Sequence, residues 1–341
     1  MLLTAFTNRA VDNAVEALRD QGFEDICRVG TDTGIREDML DLQLETRGDP
    51  HERAAELQNA PVVAATTASC GSRVMREQAF DVAVVDEASQ LTEPAALAAL
   101  NLADRFVLVG DHEQLPPVVQ SVEATSEADP GETDTSDANP LSISLFERLI
   151  DDYPAAAVML TSQYRMSQRI QAFSSAEFYD GALRPATGEV AAQSLSAVCD
   201  PTRLPPELGD QVTFLDPAGK RVGNTNPKEA DRVAEIVDAF VAAGVAPDDI
   251  GVIAPFRAQV AEIGRRVSVT VDTVDRFQGS SKEIIIVSFV ATGRLEGPLF
   301  EDHRRINVAL TRAKKGLVLV GDRQALAADP FYKRMLQWAD R

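Results

Sequence analysis

Two adjacent carboxylates end an apolar run of this sequence, and they are the side chains best suited to chemistry. The run reads VAVVDEASQ (82–90), in which β-branched residues lead into Asp86 and Glu87. Two acids at the tip of a buried strand are typical of nucleotide hydrolysis, with Asp86 binding Mg²⁺ and Glu87 polarising the attacking water. Both could instead be ordinary strand-end or helix-capping residues.

The next apolar run leads into a turn that carries an amide side chain. It reads LVGDHEQLPPVV (108–119), where Gly110 allows a tight turn and the Pro116–Pro117 pair stiffens the exit. This turn would place Gln114 beside the two acids, where its amide could contact a nucleotide phosphate. An ordinary strand-to-helix turn explains the same residues, and both interpretations stay open.

In a later segment, an arginine follows the end of a predicted strand. In MLTSQYRMSQRI (159–170), the strand leads into Gln163, Tyr164 and Arg165. A guanidinium is always charged and can bind two oxygens of a phosphoryl group at once. Arg165 is therefore a candidate for stabilising a transferring phosphoryl group.

Two further arginines lie near the C-terminus. In RRINVALTRAKKGLVLVGD (304–322), helical spacing predicts Arg305 and Arg312 on one face, two turns apart. Either could be a solvated helix arginine. Upstream of them, TVDRFQGSSKEIIIVS (273–288) predicts a glycine-containing loop that leads into a buried strand.

The elements that position these residues alternate between strands and helices. Most predicted strands are short runs of Val, Ile, Leu and Phe without polar alternation, as expected of strands buried on both faces. The pattern predicts an α/β fold with largely parallel sheets. Strands are predicted at 61–69, 80–88, 105–111, 155–162, 211–216, 249–256, 283–291 and 317–322, and helices at 8–20, 93–103 and 227–244.

The length of 341 residues is enough for two domains with separate cores. We place the first at 1–152 and the second at 153–341, ahead of the next predicted strand. Residues 120–140 are acidic and small, with almost no large apolar side chains, and they predict a mobile loop.

The composition excludes several classes of protein. The sequence has no run of 18 apolar residues and no signal-like N-terminus, so we expect a cytoplasmic protein without a membrane partner. The three cysteines, Cys27, Cys70 and Cys199, lack C-x-x-C spacing. That spacing argues against a zinc site, an iron–sulfur cluster or a disulfide framework.

The net charge of −20 comes with only six lysines. Abundant Asp with little Lys suggests adaptation to high salt, where acidic surfaces stay hydrated and their repulsion is screened. The alternative is an acidic protein that avoids nucleic acid. A local basic groove can still bind nucleic acid in an acidic chain.

The order and spacing of these segments resemble the superfamily 1 helicases. The most similar branch contains the nonsense-mediated-decay RNA helicase and the replication helicase-nuclease. The resemblance covers nearly the whole chain. The segments that carry it are TAFTNRAVDNAVEAL, VVDEASQ (the Walker B acids), VGDHEQLPPVV, SLFERL, QYRM, DRFQGSSKEIIIVS and RRINVALTRAKKGL.

The resemblance implies two RecA-like domains with ATP held between them and Mg²⁺ bound by Asp86. It implies that domain closure on ATP moves the chain along single-stranded DNA or RNA, with DNA favoured. It assigns catalysis to Asp86, Glu87, Gln114, Arg165 and Arg312, cofactor binding to Gln163, Tyr164, Gln278, Gly279 and Arg305, and nucleic-acid contacts to Thr7, Asn8, Thr67 and Thr273.

A phosphate-binding loop, G-x-x-x-x-G-K-[ST], is expected beside the Walker B acids. The only Gly-Lys pair is Gly219–Lys220, where Phe214 occupies the first glycine position and Arg221 follows the lysine. Relatives carry this loop ahead of the strand on which this sequence begins. We therefore expect a first domain that lacks its central phosphate-loop strand, leaving two unpaired strand edges, and tight ATP binding by this chain alone is doubtful.

Three explanations of the missing loop are a truncated gene, a partner chain that supplies the loop, and real degeneration. The favoured function is an ATP-dependent helicase or translocase, impaired in hydrolysis without the loop. The alternatives are a non-catalytic nucleic-acid-binding module or half of a split helicase. An unrelated phosphate-loop ATPase would explain Asp86 and Glu87 but not QYRM or NVALTRA.

Overall fold

The computed structural model describes residues 1–44, 49–117 and 142–341, and within them the chain forms two compact units. The first unit is Met1–Ala157 and the second is Val158–Arg341. The division falls five residues beyond Asp152, where the sequence places the domain boundary. The predicted acidic loop 120–140 lies outside the described residues.

The first unit contains a five-stranded parallel sheet in the order β2-β3-β1-β4-β5. Its strands are Leu2–Ala5 (β1), Ile26–Val29 (β2), Val62–Thr66 (β3), Ala83–Asp86 (β4) and Phe106–Leu108 (β5). Its α-helices are Asn8–Asp20 (α1), Pro50–Asn59 (α2), Thr67–Cys70 (α3), Arg73–Arg76 (α4), Glu93–Leu100 (α5) and Leu145–Asp152 (α6).

The second unit contains a second parallel sheet in the order β10-β9-β11-β12-β8 and a two-stranded ribbon of β6 and β7. Its strands are Ser162–Gln163 (β6), Arg184–Pro185 (β7), Val212–Leu215 (β8), Ile250–Ile253 (β9), Thr270–Asp272 (β10), Lys282–Ser288 (β11) and Ala313–Val320 (β12). Its α-helices are Gln168–Phe178 (α7), Gly188–Ala191 (α8), Pro227–Ala242 (α9), Arg257–Gly264 (α10), Val274–Phe277 (α11), Pro298–Glu301 (α12), His303–Leu310 (α13), Arg323–Ala327 (α14) and Pro330–Ala339 (α15).

The predicted α/β class with parallel sheets is confirmed, and the three predicted helices are present as α1, α5 and α9. Helix α9 shows which local features allow a helix to be predicted from sequence. Asn226 caps it by accepting from Glu229 N, Pro227 occupies its first turn, and Val233, Ile236 and Phe240 bury one apolar face. Each such side chain contributes roughly 1.5–3 kcal/mol of apolar burial.

Two strand predictions need correction. Residues 155–162 form no buried strand: a short 3-10 helix covers 154–156, and Val158 and Leu160 are 87% and 80% exposed. Strand β5 forms, but Phe106 and Val107, which point to opposite faces, are 49% and 50% exposed. An apolar run becomes a buried strand only where a pairing partner and covering layers exist, and those are tertiary properties.

The expected interruption of the first sheet is also absent. The five strands pair continuously from β2 to β5, so no gap divides the described part of the sheet. The uncovered position is instead the outer edge of β5. No described strand pairs with that edge.

The described thiols Cys27 and Cys70 are buried. Burial raises the pKa of Cys27 to about 12 and that of Cys70 to about 11. Both thiols therefore stay protonated at neutral pH, which agrees with inert core residues. Among the described residues, no helix is both long and apolar enough to cross a membrane.

Candidate nucleotide and nucleic-acid site

The carboxyl ends of the first sheet bring most of the predicted site residues of that unit to one edge. Because all five strands are parallel, their carboxyl ends lie side by side. Ala5 at the end of β1 is in register with Thr66 on one side and Asp86 on the other. The residues that follow these strands are therefore neighbours, in the order Thr67, Thr7, Glu87 and Gln114 along the edge.

Asp86 is the last residue of β4, and Glu87 directly follows it in a left-handed backbone conformation (φ 53°, ψ 36°). Such a conformation costs a non-glycine residue about 1–3 kcal/mol, and residues strained in this way cluster at functional sites. Asp86 Oδ1 accepts from Glu87 N at 2.9 Å, and Gln90 Nε2 donates to Glu87 Oε2 at 2.7 Å. Each carboxylate is thus held by a hydrogen bond from a different donor.

Gln114 is fixed by an acid that the sequence reasoning did not single out. Its Nε2 donates to Asp111 Oδ2 at 2.6 Å, and Asp111 N donates to Ser89 Oγ at 3.3 Å. Gly110 lets this turn approach the acid loop, because a Cβ there would lie 2.9 Å from Ser89 N and 3.2 Å from Ala88 N. The glycine is therefore required for close approach between the two loops.

Thr7 and Asn8 begin helix α1. The Thr7 hydroxyl accepts from Ala10 N at 3.2 Å and caps the helix, and Asn8 Oδ1 accepts from Arg28 Nη2 at 2.9 Å. Arg28 is fully buried on β2, where its Nε pairs with Asp12 Oδ1 at 2.8 Å. This buried ion pair ties α1, and with it the exposed Thr7, to the sheet.

Thr67 is less accessible than the other nucleic-acid candidates. It is the first residue of α3 and only 3% exposed. The cap of that helix comes from the preceding Thr66, whose hydroxyl accepts from Ser69 N at 3.2 Å. The contact predicted for Thr67 stays a prediction.

Gln163 organises the loop that presents Tyr164 and Arg165. Its Oε1 accepts from the backbone N–H groups of Arg165 (2.8 Å) and Met166 (2.7 Å), and its Nε2 donates to Met166 O and Gln171 Oε1. Four bonds thus occupy the amide, so Gln163 holds the loop in shape. Tyr164 is 73% exposed beside it.

Arg312 does not share a helix face with Arg305, and that prediction is wrong. Helix α13 ends at Leu310, because Thr311 turns the chain into strand β12. Arg312 is 3% exposed, and its Nε donates to Val308 O at 3.1 Å. Arg305 remains on the helix and pairs with Asp275 at 2.8 Å. Helical spacing alone could not show where the helix stops.

The second sheet separates the predicted nucleotide contacts from the predicted nucleic-acid contact. Gln278 and Gly279 precede the start of β11, and Arg312 precedes the start of β12, where Lys282 N donates to Arg312 O at 3.0 Å. Thr273 instead follows the carboxyl end of β10. Because the strands are parallel, Thr273 and the other three residues lie at opposite ends of the sheet.

The residues present fit a nucleotide with Mg²⁺. Among the described residues, no three His, Cys, Asp or Glu side chains could together hold a metal. Mg²⁺ usually keeps one or two carboxylates and takes its other oxygens from phosphates and water, so Asp86 suffices as a protein ligand. Gln278 Nε2 is buried without a hydrogen-bond partner. A buried amide without an acceptor is what a ligand contact would satisfy.

Three supporting residues escaped sequence reasoning: Arg28, Asp111 and Glu229. Arg28 had a visible signal, since a charged residue inside a buried strand must be paired. Asp111 stands in the V-G-D turn, and its role depends on the approach of a second loop. Glu229 lies on an amphipathic helix and had no distinguishing mark.

Comparison with known families agrees with the geometry. Residues 141–324, more than half of the chain, match the family AAA_12, described as an AAA domain, and residues 49–122 match AAA_11, also an AAA domain. The chain belongs to this AAA-domain family. The two parallel α/β sheets agree with the two RecA-like domains that the resemblance implies.

Three relatives illustrate the match. A DNA replication ATP-dependent helicase/nuclease of Arabidopsis thaliana is 35% identical over 98% of this chain and 26% of its own length. The Xenopus laevis protein of the same description is 36% identical over 94% of this chain and 33% of its own. An uncharacterized ATP-dependent helicase of Methanocaldococcus jannaschii is 33% identical over 83% of this chain and 42% of its own. The chain thus spans between a quarter and a half of the length of these relatives.

Proposed function

We propose that this chain is the motor part of an ATP-dependent helicase or translocase that acts on single-stranded nucleic acid, with DNA favoured. The observation that carries the proposal is the shared carboxyl edge of the first sheet. There, the acids that follow β4 lie between the Thr7–Asn8 segment that follows β1 and the Gln114 turn that follows β5. DNA is favoured because the Arabidopsis and Xenopus relatives are named for DNA replication.

In this proposal, each charged residue has a separate task. Asp86 binds Mg²⁺, which supplies charge neutralisation at the phosphates when nucleotide is bound. Glu87 orients and deprotonates the attacking water, and its constrained backbone aims the carboxylate. Gln114, held by Asp111, contacts the terminal phosphate. Arg165 and Arg312 stabilise the charge that develops there, an effect worth roughly 10³–10⁵ in rate.

A phosphate-binding loop is still required, and we propose that it comes with an additional parallel strand along the open edge of β5. The exposure of Phe106, Val107 and Val109 supports this position, since strands of parallel sheets are normally covered on both faces. The strand would belong to a longer form of the protein or to a partner chain. No G-x-x-x-x-G-K-[ST] segment occurs within the 341 residues.

The deciding experiment measures ATP hydrolysis with and without single-stranded DNA for two proteins. One is this chain, and the other is this chain with a segment that contains a phosphate-binding loop joined ahead of Met1. We expect DNA-stimulated turnover only from the extended protein. Equal, robust turnover from both would overturn the role of the added strand, and no turnover from either would overturn the motor function.

A non-catalytic nucleic-acid-binding module is the second candidate, and the missing phosphate loop favours it. Substitution of Glu87→Gln in the extended protein separates the two functions. A motor loses DNA-stimulated hydrolysis and keeps DNA binding. A binding module shows no hydrolysis before or after the substitution.

A further inference from the structure

The loop that carries Arg165 receives little support from the chain that precedes it. Val158 and Leu160 are exposed, and β6, a strand of two residues, pairs only with the equally short β7 among the described strands. Arg165 is the residue that the proposed function assigns to the transferring phosphoryl group. Its position must therefore be set by contacts within the loop and with α7, the helix that follows it.

Helix α7 is a fixed support for this loop. The Ser167 hydroxyl caps the helix by accepting from Ile170 N at 3.3 Å, and Ser167 N donates to Lys314 O on β12 at 3.1 Å. Ser167 is also fully buried. The start of α7 is thus joined to the main sheet of the second unit, so a side chain on α7 can hold the loop in place.

Gln171 connects α7 to the Arg165 loop. Its Oε1 accepts from Gln163 Nε2 at 3.1 Å, and its own Nε2 donates to Leu183 O at 3.1 Å. Gln163 Oε1 in turn accepts from the backbone N–H groups of Arg165 and Met166. Two side-chain amides therefore form a chain of hydrogen bonds from the loop backbone to the residue ahead of β7.

The direction of every bond in this chain is fixed by its two ends. The backbone N–H groups of the loop can only donate, so Gln163 must turn its oxygen toward them and its Nε2 toward Gln171. The Leu183 carbonyl can only accept, so Gln171 must offer it Nε2 and face Gln163 with its oxygen. Position 171 therefore requires one side chain that both donates and accepts. An ionised glutamate would lack the donor, and methionine would lack both strong groups.

Burial makes the loop sensitive to Gln171. The residue is 2% exposed, so water does not compete for its amide and cannot replace a lost bond. Ser175, one turn further along α7, offers a comparison. Its Oγ also donates to Leu183 O, at 2.9 Å, but its described hydrogen bonds do not include Gln163. The two side chains thus share the same acceptor, and Gln171 alone of the two continues toward the loop.

We propose that Gln171 is a positioning residue for Arg165. It holds the Gln163 amide, which holds the backbone of the loop, and so it fixes the point from which the Arg165 side chain starts. The other end of that side chain is held where Nη1 donates to Thr311 O at 3.1 Å. This inference rests on the proposed function and adds to it a residue that acts only through Gln163.

Gln171→Met tests this role because it breaks the chain and leaves each former partner with another hydrogen bond. Gln163 Nε2 keeps its bond to Met166 O at 2.8 Å, and Leu183 O keeps its bond from Ser175 Oγ. Methionine is unbranched and flexible, and it is close to glutamine in length, so it fills the same space. The variant should therefore fold as the wild type does, which its unfolding midpoint checks.

Amide hydrogen exchange in this chain measures the loop directly. We expect protection of the Arg165 and Met166 amides to fall roughly 2- to 10-fold in Gln171→Met, the effect of one lost hydrogen bond. Ser175→Ala is the matched control, since it removes the other donor to the same carbonyl and leaves the bonds of the loop unchanged. Unchanged protection in Gln171→Met, or an equal fall in Ser175→Ala, would overturn the role of Gln171.

ATP hydrolysis by the extended protein tests the link to Arg165. Because Arg165 acts on charge that develops in the transition state, Gln171→Met should lower kcat by the same roughly 2- to 10-fold and leave KM for ATP within about twofold. In a Gln163→Ala background, the same substitution should cause no further loss, since the chain of bonds is already broken. Additive losses of kcat would show only general destabilisation and overturn the assignment.

The outcomes separate this inference from the proposed function. If the extended wild type hydrolyses no ATP, the proposed function fails, and the exchange results alone decide whether Gln171 orders the loop. If the extended wild type hydrolyses ATP and Gln171→Met keeps its full kcat, the proposed function stands and this inference fails.

Discussion

Arg165 Nη1 donates a hydrogen bond to the backbone carbonyl of Thr311 at 3.1 Å, across 146 positions of sequence. Thr311 directly precedes Arg312, and its hydroxyl accepts from Arg312 Nη2 at 3.1 Å. One threonine thus holds two guanidinium groups near each other in the second unit. Two arginines arranged in this way can act on the same phosphate group.

Loss of either arginine should nearly abolish ATP hydrolysis in the protein that carries the phosphate loop. We expect Arg165→Ala and Arg312→Ala each to lower kcat about 10³-fold or more, because an arginine that stabilises the transferring phosphoryl group contributes 10³–10⁵. Arg334→Gln is the control, since Arg334 is exposed and pairs with Glu177. A kcat within tenfold of the wild type for both alanine variants would refute the assignment.

Gly110→Ala should displace the turn that carries Gln114 at the carboxyl end of the first sheet. The added Cβ would lie 2.9 Å from Ser89 N, a backbone atom that cannot simply rotate away. Forced overpacking of this kind costs about 1–3 kcal/mol and should displace the turn that carries Gln114. Gly71→Ala is the matched control, because its Cβ would meet only Ala68 O at 3.4 Å. Thermal unfolding and ATP hydrolysis, measured for both variants of the extended protein, check this prediction. Equal unfolding midpoints and equal hydrolysis rates for Gly110→Ala and Gly71→Ala would contradict it.

Arg28→Met should strongly destabilise the first unit. It leaves the Asp12 carboxylate buried without its cation, which costs on the order of 3–5 kcal/mol. Hydrogen exchange of the β2 and α1 amides measures the loss. Arg73→Met removes an exposed pair with Glu77 and should leave exchange unchanged. A double variant, Asp12→Leu/Arg28→Met, should recover part of the stability, and a further loss instead would contradict the buried-charge explanation.

The stability of the second unit should fall as pH rises from about 4.5 to about 7. Burial raises the pKa of Glu229 from 4.5 to about 7. In that window, the unfolded chain has lost the proton and the folded chain keeps it, so unfolding releases a proton and rising pH favours it. Below the window both states are protonated, and above it both are ionised, so the effect is flat there.

The size of this pH effect is on the order of 3 kcal/mol, from the rise of the Glu229 pKa from 4.5 to about 7. Urea unfolding followed by Trp338 fluorescence at pH 5, 6, 7 and 8 measures it, because Trp338 is the only tryptophan and lies in the second unit. Glu229→Gln should remove this component while other carboxylates titrate equally in both proteins. Parallel pH profiles for wild type and variant would show that Glu229 keeps an ordinary pKa.

Local sequence patterns predicted the helices well, because capping and amphipathic spacing are local. Helix α1 begins and ends where the pattern 8–20 predicts, and α9 ends two residues early, at Ala242. Local patterns gave wrong predictions where contacts with segments distant in sequence decide whether a strand forms or where a helix ends. Of the predicted strand 155–162, only Ser162 pairs with another strand, and the chain turns at Thr311 before the helix can carry Arg312.

The residues of the candidate site could be predicted from sequence, but the contacts that hold them in place could not. Asp86, Glu87 and Gln114 follow strands and could be placed from sequence. Their orientation depends on contacts between distant segments, such as the approach of Gly110 to Ser89. The hydrogen bonds that occupy the Gln163 side-chain amide likewise depend on tertiary structure, and neither composition nor spacing reveals them.

Helix α11 is a single turn, about 6 Å long, between Thr273 at one end of the second sheet and Gln278 at the other. Val274 and Phe277 are almost fully buried, and the Phe277 ring packs so close to Gly251 that a Cβ there would lie 2.8 Å from it. Because α11 is a single turn with both apolar side chains buried, it has little room to bend or stretch. We therefore expect Thr273 and Gln278 to keep a fixed spacing when either one contacts a ligand.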